Sequence, residues 1–179
     1  MNQVTAPLIR EHGVLVESLR DVAAAYESGS PIGASSLVRF LQDALLLHRR
    51  REEDILFPAL VGRIEGEIDE RLGLIEVPAQ RSDSWIGARE LLLGLLASTI
   101  AEHQHLATML ASLDGRPTGC PADARSVRRD LRYLMRQFLK HTSREQNQLY
   151  PLAEAMLSNP EKRRLRSRMD ACTAPEWVA

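Results

Sequence analysis

The sequence contains little cysteine, few aromatic residues, no excess of either charge and no long apolar run. Its two cysteines, Cys120 and Cys172, do not form a CxxC pair, which argues against a disulfide framework and against a thiolate zinc site. Lys plus Arg number 23 and Asp plus Glu 24, so no general attraction to nucleic acid is expected. The longest apolar stretch, ELLLGLLASTIA, is too short for a bilayer, and the N-terminus lacks a secretory signal pattern. These absences predict a soluble cytoplasmic protein with no nucleic-acid and no membrane partner.

The sequence is instead rich in the apolar spacing of amphipathic helices. Apolar side chains recur at i, i+3, i+4 and i+7 in four long segments, and strand-like alternation is almost absent. A short fifth helix is predicted at about 159–170, where Ser158 or Asn159 can cap the first turn and Pro160 can stand in it. The length of 179 residues suits a single domain, so we predict an all-α bundle with an extra C-terminal helix. The four long helices are predicted at about 5–27, from Ser35 or Ser36 to 66, from Asp83 or Ser84 to 113, and 123–157, with 66–83 as a connection.

The chain contains an internal repeat. LLLHRRREEDILFP at 45–58 aligns without gaps, at an offset of 93 residues, with FLKHTSREQNQLYP at 138–151, and six of the fourteen positions are identical. The preceding helices also match, since LIREHGVLVESL at 8–19 resembles STIAEHQHLATML at 98–110. The chain is therefore predicted to hold two helix–loop–helix units, each reading Glu-His and then His-x-x-x-Glu.

The repeated spacing places histidine and glutamate side chains on one helix face. Residues four apart lie one turn above another, so each His-x-x-x-Glu pair can point at a single position. The neighbours on those faces are leucine, isoleucine, alanine and phenylalanine, which predicts that the pairs face the core. His105 is about 200° around its helix from the inward position and is predicted to face solvent. The predicted inward set is His12, His48, Glu52, His103, His141 and Glu145.

Two interpretations of this buried polar set are open. A single histidine on an apolar face is more often a hydrogen-bonded core residue than a ligand, and a purely structural polar layer would follow the same rule. Buried carboxylates cost several kcal/mol unless they are compensated, and metal ions would compensate them. Six ligands are too many for one tetrahedral zinc ion but suit two ions that share bridging carboxylates. The ligand types suit iron, manganese, zinc or copper, so the donor set alone does not choose the metal.

The Glu-His and His-x-x-x-Glu motifs, the latter followed by ILFP or LYP, resemble the hemerythrin-like or HHE cation-binding family over about 5–157. The resemblance implies an up-down four-helix bundle with an oxo- or hydroxo-bridged centre of two iron ions; zinc and manganese are the alternatives. It implies His12, His48 and Glu52 as ligands from the first half, and His103, His141 and Glu145 from the second. Glu52 and Glu145 are the implied bridging carboxylates.

One position departs from the oxygen-carrying members of that family, which use two histidines four residues apart on the third helix. The residues four away from His103 are Thr99 and Ala107, so one nitrogen ligand is missing and more than one metal position is open. The expected function is binding and handling of oxygen, peroxide or nitric oxide as a small-molecule ligand, with catalase- or peroxidase-like activity if the protein is an enzyme. The alternative is an iron- or oxygen-responsive sensor or interaction module without turnover.

The sequence also predicts where several charged and aromatic residues near these motifs lie. Glu53 has Gln146 as its repeat partner and is predicted to be a solvated charge, with supplementary metal ligation as the alternative. Arg51 and Arg144 match across the repeat and are predicted to lie on helix surfaces, with a charge near the centre as the alternative. Tyr133 and Tyr150 are predicted either to pack at the core boundary or to lie near the centre as hydrogen-bond donors.

Overall fold

The computed structural model describes residues 3–28, 31–74, 79–114, 116 and 121–172, and this part of the chain is helical without strands. The second and fourth helices are each interrupted by a five-residue π-helical turn, Glu52–Leu56 and Glu145–Leu149. The predicted all-α class is confirmed. In chain order the five helices are α1 (Ala6–Glu27), α2 (Pro31–Arg51, the first π-turn and Phe57–Leu74), α3 (Ala79–Ala111), α4 (Pro121–Arg144, the second π-turn and Tyr150–Met156) and α5 (Asn159–Ala171).

The first four helices pack in a ring. Helix α1 contacts α2 and α4, and α3 contacts the same two helices from the other side. Each helix therefore presents one apolar face to a shared interior, as the sequence periodicity predicts. Helix α5 is packed against the π-turn of α2, outside the ring.

Helix α5 begins with a capping box. The Ser158 side chain accepts a hydrogen bond from the Glu161 backbone N–H, and the Glu161 carboxylate accepts one from the Ser158 backbone N–H at 2.8 Å. Together these bonds satisfy backbone donors that the first helical turn leaves free. Leu165 and Met169 then anchor the helix through buried side chains.

The helix boundaries differ from the predicted ones, and the predicted connection at 66–83 is wrong. Helix α2 begins at Pro31 and extends to Leu74, and α3 begins at Ala79, while residues 75–78 lie outside the described part. Helix α2 thus begins before the predicted start at Ser35 or Ser36, because the fixed φ of proline suits the first turn of a helix. Helix α4 begins at Pro121 for the same reason. Gly66 costs a helix only about 1 kcal/mol relative to alanine, which is too little to end it.

The buried apolar side chains form two clusters. The first, here the α5-side cluster, contains Leu8, Leu56 and Leu149, together with Leu165 and Met169 from α5. The second, here the distal cluster, contains Leu15, Leu45, Leu106 and Phe138. Because these residues precede and follow the predicted ligands on the same helices, the ligands lie between two apolar layers.

Two other sequence predictions can be compared with the structure. Among the described helices, none has the length and apolar character that crossing a membrane requires. Cys172 is a free thiol at the end of α5, and Cys120 lies outside the described residues.

Candidate metal centre

All six side chains predicted from the repeat meet in the interior of the bundle. Their exposed fractions are 0% for His48, Glu52 and His103, 1% for His141 and Glu145, and 2% for His12. Two overlapping groups account for the whole set, and within each group one ligand atom per residue lies within 4.8 Å of the others. The groups are His12, His48, His141 and Glu145, and His48, Glu52, His103 and Glu145.

Each carboxylate is at the first residue of a π-helical turn. In such a turn the backbone hydrogen bond runs from residue i+5 to residue i, and here Phe57 donates to the Glu52 carbonyl and Tyr150 to the Glu145 carbonyl. The wider turn brings residue i+5 towards the helix face that carries the carboxylate. In an α-helix, residue i+5 would lie on another face. The two π-turns occur at the same position in both halves of the repeat, and the sequence pattern did not reveal them.

Glu145 reaches imidazoles from both halves of the chain. Its Oε2 atom lies 3.0 Å from His12 Nε2, and its Oε1 atom lies 3.3 Å from His141 Nε2 and 3.5 Å from His103 Nε2. The Oε2 atom of Glu52 lies 3.5 Å from His48 Nε2 and 3.2 Å from His103 Nε2. Both carboxylates therefore lie between imidazoles of the two halves.

Several of these buried atoms lie within ion-pair distance of one another but make no hydrogen bond of good geometry among the described residues. They are Glu52 Oε2, His103 Nε2, His141 Nε2 and Glu145 Oε1. A buried polar atom without a partner costs about 1–3 kcal/mol, so four on neighbouring side chains would oppose folding without compensation. Imidazole nitrogens and carboxylate oxygens are ligands that transition metals accept. The donor set therefore fits bound cations.

Two of the imidazoles are held by glutamates from the Glu-His motif. The Nδ1 atom of His48 lies 2.9 Å from Glu11 Oε2, and that of His141 lies 3.1 Å from Glu102 Oε2. A protonated Nδ1 donating to the carboxylate fixes the tautomer and leaves Nε2 free for a metal. The glutamate of each Glu-His pair thus orients the histidine of the next helix, not its own neighbour.

The other two imidazoles are held by residues that follow the bridging carboxylates. His103 Nδ1 lies 2.7 Å from Glu53 Oε1, and His12 Nδ1 lies 3.0 Å from the amide Nε2 of Gln146. Glu53 also accepts a hydrogen bond from Arg49 Nε at 3.1 Å. The prediction that Glu53 is a solvated charge is wrong, because the wide π-turn directs its carboxylate towards α3.

Arg51 and Arg144 lie behind the glutamates of the two Glu-His motifs. Arg51 donates to Glu11, and Arg144 donates to Glu102 and, at 2.6 Å, to the Ser98 hydroxyl. The prediction of plain surface arginines is therefore wrong for both. Their guanidinium groups bring positive charge to carboxylates that orient imidazoles.

Tyr150 contributes a hydroxyl to the interior. It is 2% exposed, and its hydroxyl donates to Glu52 Oε1 at 2.6 Å while lying 3.3 Å from His12 Nε2 and 3.5 Å from Glu145 Oε2. Tyr133, the other candidate, is 42% exposed and is near the exposed His105, so it lies outside the centre. The predicted outward orientation of His105 agrees with this position.

Thr99 is a further buried polar residue. It is 0% exposed, one helical turn before His103, and its hydroxyl has no partner among the described residues. A threonine in a helix commonly bonds to a carbonyl of the preceding turn, so a free hydroxyl here is unusual. Thr99 occupies one of the two positions four residues from His103, and neither position holds a histidine.

The charges within the centre shift the pKa values of its side chains in opposite directions. Burial lowers the pKa of His103, but the neighbouring carboxylates of Glu145, Glu52 and Glu53 outweigh it and raise the pKa to about 11. Burial raises the pKa of Glu145, but His103 and His12 outweigh this and hold it well below its usual range. Burial, followed by Glu52 and Glu145, raises the pKa of Tyr150 well above its ordinary value. In the metal-free chain the buried carboxylate charge is thus balanced by protonated imidazole, which a cation can replace with release of the proton.

Comparison with known proteins gives a family match in the N-terminal part of the chain. Residues 3–76 match the model of the Hemerythrin family, described as the hemerythrin HHE cation binding domain, and this match confirms the resemblance that the motifs indicate. The matched part contains His12, His48 and Glu52, and the second half supplies the repeated motif. Comparisons with curated proteins and with solved structures gave no match.

Proposed function

We propose that this hemerythrin-like, cation-binding chain holds two iron ions and uses them to bind and handle oxygen, peroxide or nitric oxide. The observation that carries the proposal is the buried set of four imidazoles and two carboxylates with four unpartnered atoms. The proposed ligands are His12, His48, Glu52, His103, His141 and Glu145, with Glu52 and Glu145 shared between the ions. Zinc and manganese are the alternative metals, because the donor types accept them as well.

Bound iron would supply a redox couple between ferrous and ferric states and open positions for a small ligand. The chain's own contribution is to fix the donors. Glu11 and Glu102 hold the imidazoles of His48 and His141 in one tautomer, and the two apolar clusters exclude bulk water from the interior. A dry interior strengthens the interaction between a charged ligand and the fixed dipoles around it.

Two hydroxyl groups are available to a small ligand in this interior. Tyr150 is hydrogen-bonded to Glu52, and Thr99 has an unused hydroxyl close in sequence to His103. Because the donor set lacks the second α3 histidine, we infer an open metal position near Thr99. A catalase- or peroxidase-like reaction there would need a group that donates or holds a proton, and these hydroxyls are the candidates.

The first test is metal analysis of protein purified from iron-supplemented cells, combined with visible absorption before and after addition of peroxide. We expect about two irons per chain, as in other dimetal bundle cores, and a ferric absorption band that changes with peroxide. Kinetic measurement of peroxide loss would then decide whether the protein is an enzyme. Absence of bound metal, or stoichiometric zinc without absorption, would overturn the redox proposal.

A matched pair of histidines makes this test specific. His103→Ala removes a proposed ligand, and His105→Ala removes an exposed imidazole two residues away on the same helix. We expect iron to be lost from the first variant and retained by the second. Equal iron content in both variants would contradict a ligand role for His103.

A second function, a sensor or interaction module without turnover, is favoured by one contact. The Nε atom of Arg51 donates to the Met169 carbonyl at 3.0 Å, and its Nη2 atom donates to the Cys172 carbonyl at 3.2 Å. The same arginine donates to Glu11, which orients His48. A chain of contacts therefore connects a proposed iron ligand with the end of the peripheral helix α5.

The two functions differ in what iron changes. A sensor should show different hydrogen exchange in α5 with and without iron, and no peroxide consumption above that of free iron. An oxygen- or peroxide-handling protein should show turnover or reversible ligand binding with little change in α5. Equal exchange in α5 in both metal states would exclude the sensor route through Arg51.

A further inference from the structure

The four imidazoles of the centre are not held alike. Glu11, Glu102 and Glu53 place carboxylates at the Nδ1 atoms of three histidines, and Gln146 places a neutral amide at the fourth, His12. Each of the three carboxylates also has an arginine partner, respectively Arg51, Arg144 and Arg49. Among the four imidazoles, His12 alone has an amide in place of a carboxylate at Nδ1.

The internal repeat shows what replaces the missing charge. Glu53 and Gln146 occupy equivalent positions, as do Arg49 and Thr142. In the first half these two positions form an ion pair at 3.1 Å, whereas the Thr142 hydroxyl donates to the Leu139 carbonyl of its own helix. Both members of the ion pair are thus absent from the second half, and the amide is left as the only described side-chain partner of His12 Nδ1.

The imidazoles also fall into two neighbouring pairs. The Nε2 atoms of His12 and His48 lie 3.1 Å apart, close enough to bind one ion together. The rings of His103 and His141 form the second pair, with centroids 4.7 Å apart. We call the first pair the α1/α2 position and the second pair the α3/α4 position.

The backing of the two positions differs by one carboxylate in direct contact with an imidazole, while the Arg49–Glu53 ion pair leaves their net charge equal. The α3/α4 position has carboxylates behind both imidazoles, and the α1/α2 position has one carboxylate and one amide. A carboxylate behind an imidazole raises its basicity and compensates the charge of the metal, whereas an amide gives orientation without charge. Glu52 contacts one imidazole of each position, whereas Glu145 contacts one imidazole of the α1/α2 position and both of the α3/α4 position.

We propose that the two metal positions are unequal, and that the ion at the α1/α2 position is bound more weakly and released first. The inference rests on the proposed dimetal function and identifies Gln146 and Glu53 as positioning residues that set the order of release. With a metal at Nε2, His12 Nδ1 carries a proton, so the Gln146 amide, whose Nε2 faces it in the metal-free chain, has to turn and accept through its oxygen. Replacement of such a hydrogen-bond partner typically changes metal affinity by about 10–100-fold, which sets the expected difference.

The repeat offers reciprocal variants as the test. Protein loaded with Fe²⁺ without oxygen is mixed with excess chelator, and the released iron is followed in time. We expect two phases of equal size in the unmodified chain, with rates that differ by about 10-fold or more. Gln146→Glu should slow the fast phase because it adds a carboxylate behind His12. Glu53→Gln should accelerate the slow phase because it removes the carboxylate behind His103.

A charge control separates this effect from general electrostatics. Gln148→Glu adds the same charge two residues further on, at an exposed side chain of the same π-turn that makes no described contact with an imidazole. We expect it to leave both phases unchanged. Circular dichroism of every metal-free variant checks that the near-isosteric exchanges preserve the fold.

The outcomes distinguish this inference from the proposal beneath it. If the unmodified chain binds no iron, both fail. If it binds two ions and releases them in a single phase, or if Gln146→Glu leaves the fast phase unchanged, the dimetal function stands and the inequality fails. A fast phase that Gln148→Glu slows as much as Gln146→Glu would also overturn it, because the cause would then be surface charge.

Discussion

The two halves of the bundle share their metal-binding pattern but differ in the residues around it. Both have an inward histidine, a Glu-His motif, a His-x-x-x-Glu motif and a π-turn that begins at the glutamate. They differ five residues beyond each glutamate, where Phe57 and Tyr150 stand. They also differ at the residue directly after each glutamate, which is Glu53 in one half and Gln146 in the other. The comparison teaches that the repeat fixes which side chains converge, while single exchanges decide the polarity and charge that each of them meets.

The arginines of the two motifs extend the comparison to the surface. Arg144 donates to a serine of α3, whereas Arg51 donates to two carbonyls at the end of α5. Helix α5 packs beside the first half, and the described residues include no equivalent helix beside the second. The same residue type therefore closes a local contact in one half and attaches an additional helix in the other.

Removing equivalent histidines should have the largest effect on iron binding in both halves. His48→Ala and His141→Ala each delete a fully buried proposed ligand. We expect each variant to lose at least half of the bound iron, and to lose more than His105→Ala, which lacks only an exposed ring. Iron content determined by metal analysis of the purified proteins checks this, and full iron in both variants would favour a purely hydrogen-bonded polar layer.

The tyrosine that distinguishes the second half should also matter without metal. Tyr150→Phe removes the donor to Glu52 Oε1 and leaves a buried carboxylate less satisfied. We expect the free energy of unfolding of the metal-free protein to fall by about 1–3 kcal/mol, measured by urea denaturation.

The control for this change is the other tyrosine. Tyr133 is 42% exposed, and Tyr133→Phe should change stability by less than about 0.5 kcal/mol. Similar losses for both variants would show that the hydroxyl of Tyr150 has no special contact in solution.

The two arginines should differ in their effect on α5. Arg51→Met removes the hydrogen bonds to the Met169 and Cys172 carbonyls, and Arg144→Met removes bonds that stay within α3 and α4. We expect amide exchange in α5 to rise about tenfold for the first variant, equivalent to about 1.4 kcal/mol, and to stay unchanged for the second. Equal exchange in both variants would contradict a tether through Arg51.

Glu154 provides a pH-dependent difference between the halves, because its repeat counterpart is the apolar Val61. Burial raises the pKa of Glu154, but hydrogen bonds from Thr5 and Lys162 outweigh it and hold the pKa below 4.5. A lowered carboxylate pKa stabilises the fold above the unfolded value and loses that contribution as the pH falls through the folded value. Glu154→Gln should therefore cost about 1 kcal/mol near neutral pH and almost nothing in acid.

Urea denaturation of the metal-free protein at several pH values checks this prediction. The unmodified chain and Glu154→Gln should converge in stability as the pH falls below about 4. A constant difference across the whole range would show that the lost contribution is not the charge of Glu154.

The smallest expected effect concerns the length of the second helix. Gly66 lies within α2, while α4 has already ended at Met156, before the equivalent position. A Cβ atom at Gly66 would meet nothing within 4 Å, so Gly66→Ala should stabilise the protein by about 0.5–1 kcal/mol through helix propensity. Thermal unfolding checks the sign, and a lower midpoint would argue against continuous helix there.

The predictability of the site differed from residue to residue. The inward orientation of His48, Glu52, His141 and Glu145 could be predicted because i, i+4 spacing and apolar neighbours are local properties of the chain. The roles of Glu53 and Tyr150 could not be predicted from regular helix spacing. Glu53 lies within one π-turn and Tyr150 directly follows the other, so both side chains are rotated relative to a regular α-helix. The helix ends at Leu74 and Ala79 were missed because glycine and proline weaken or start helices as well as ending them.

The sequence by itself determined the helical class, the repeat and the six side chains that share the interior. These follow from periodicity, since a helix has a fixed number of residues per turn and apolar faces must be buried. Only the tertiary structure decided which residue holds each imidazole, which hydroxyl reaches the carboxylates and which half contacts α5. Those contacts join residues far apart in the chain, as Gln146 and His12 do, and they depend on how the helices are spaced and rotated once they pack.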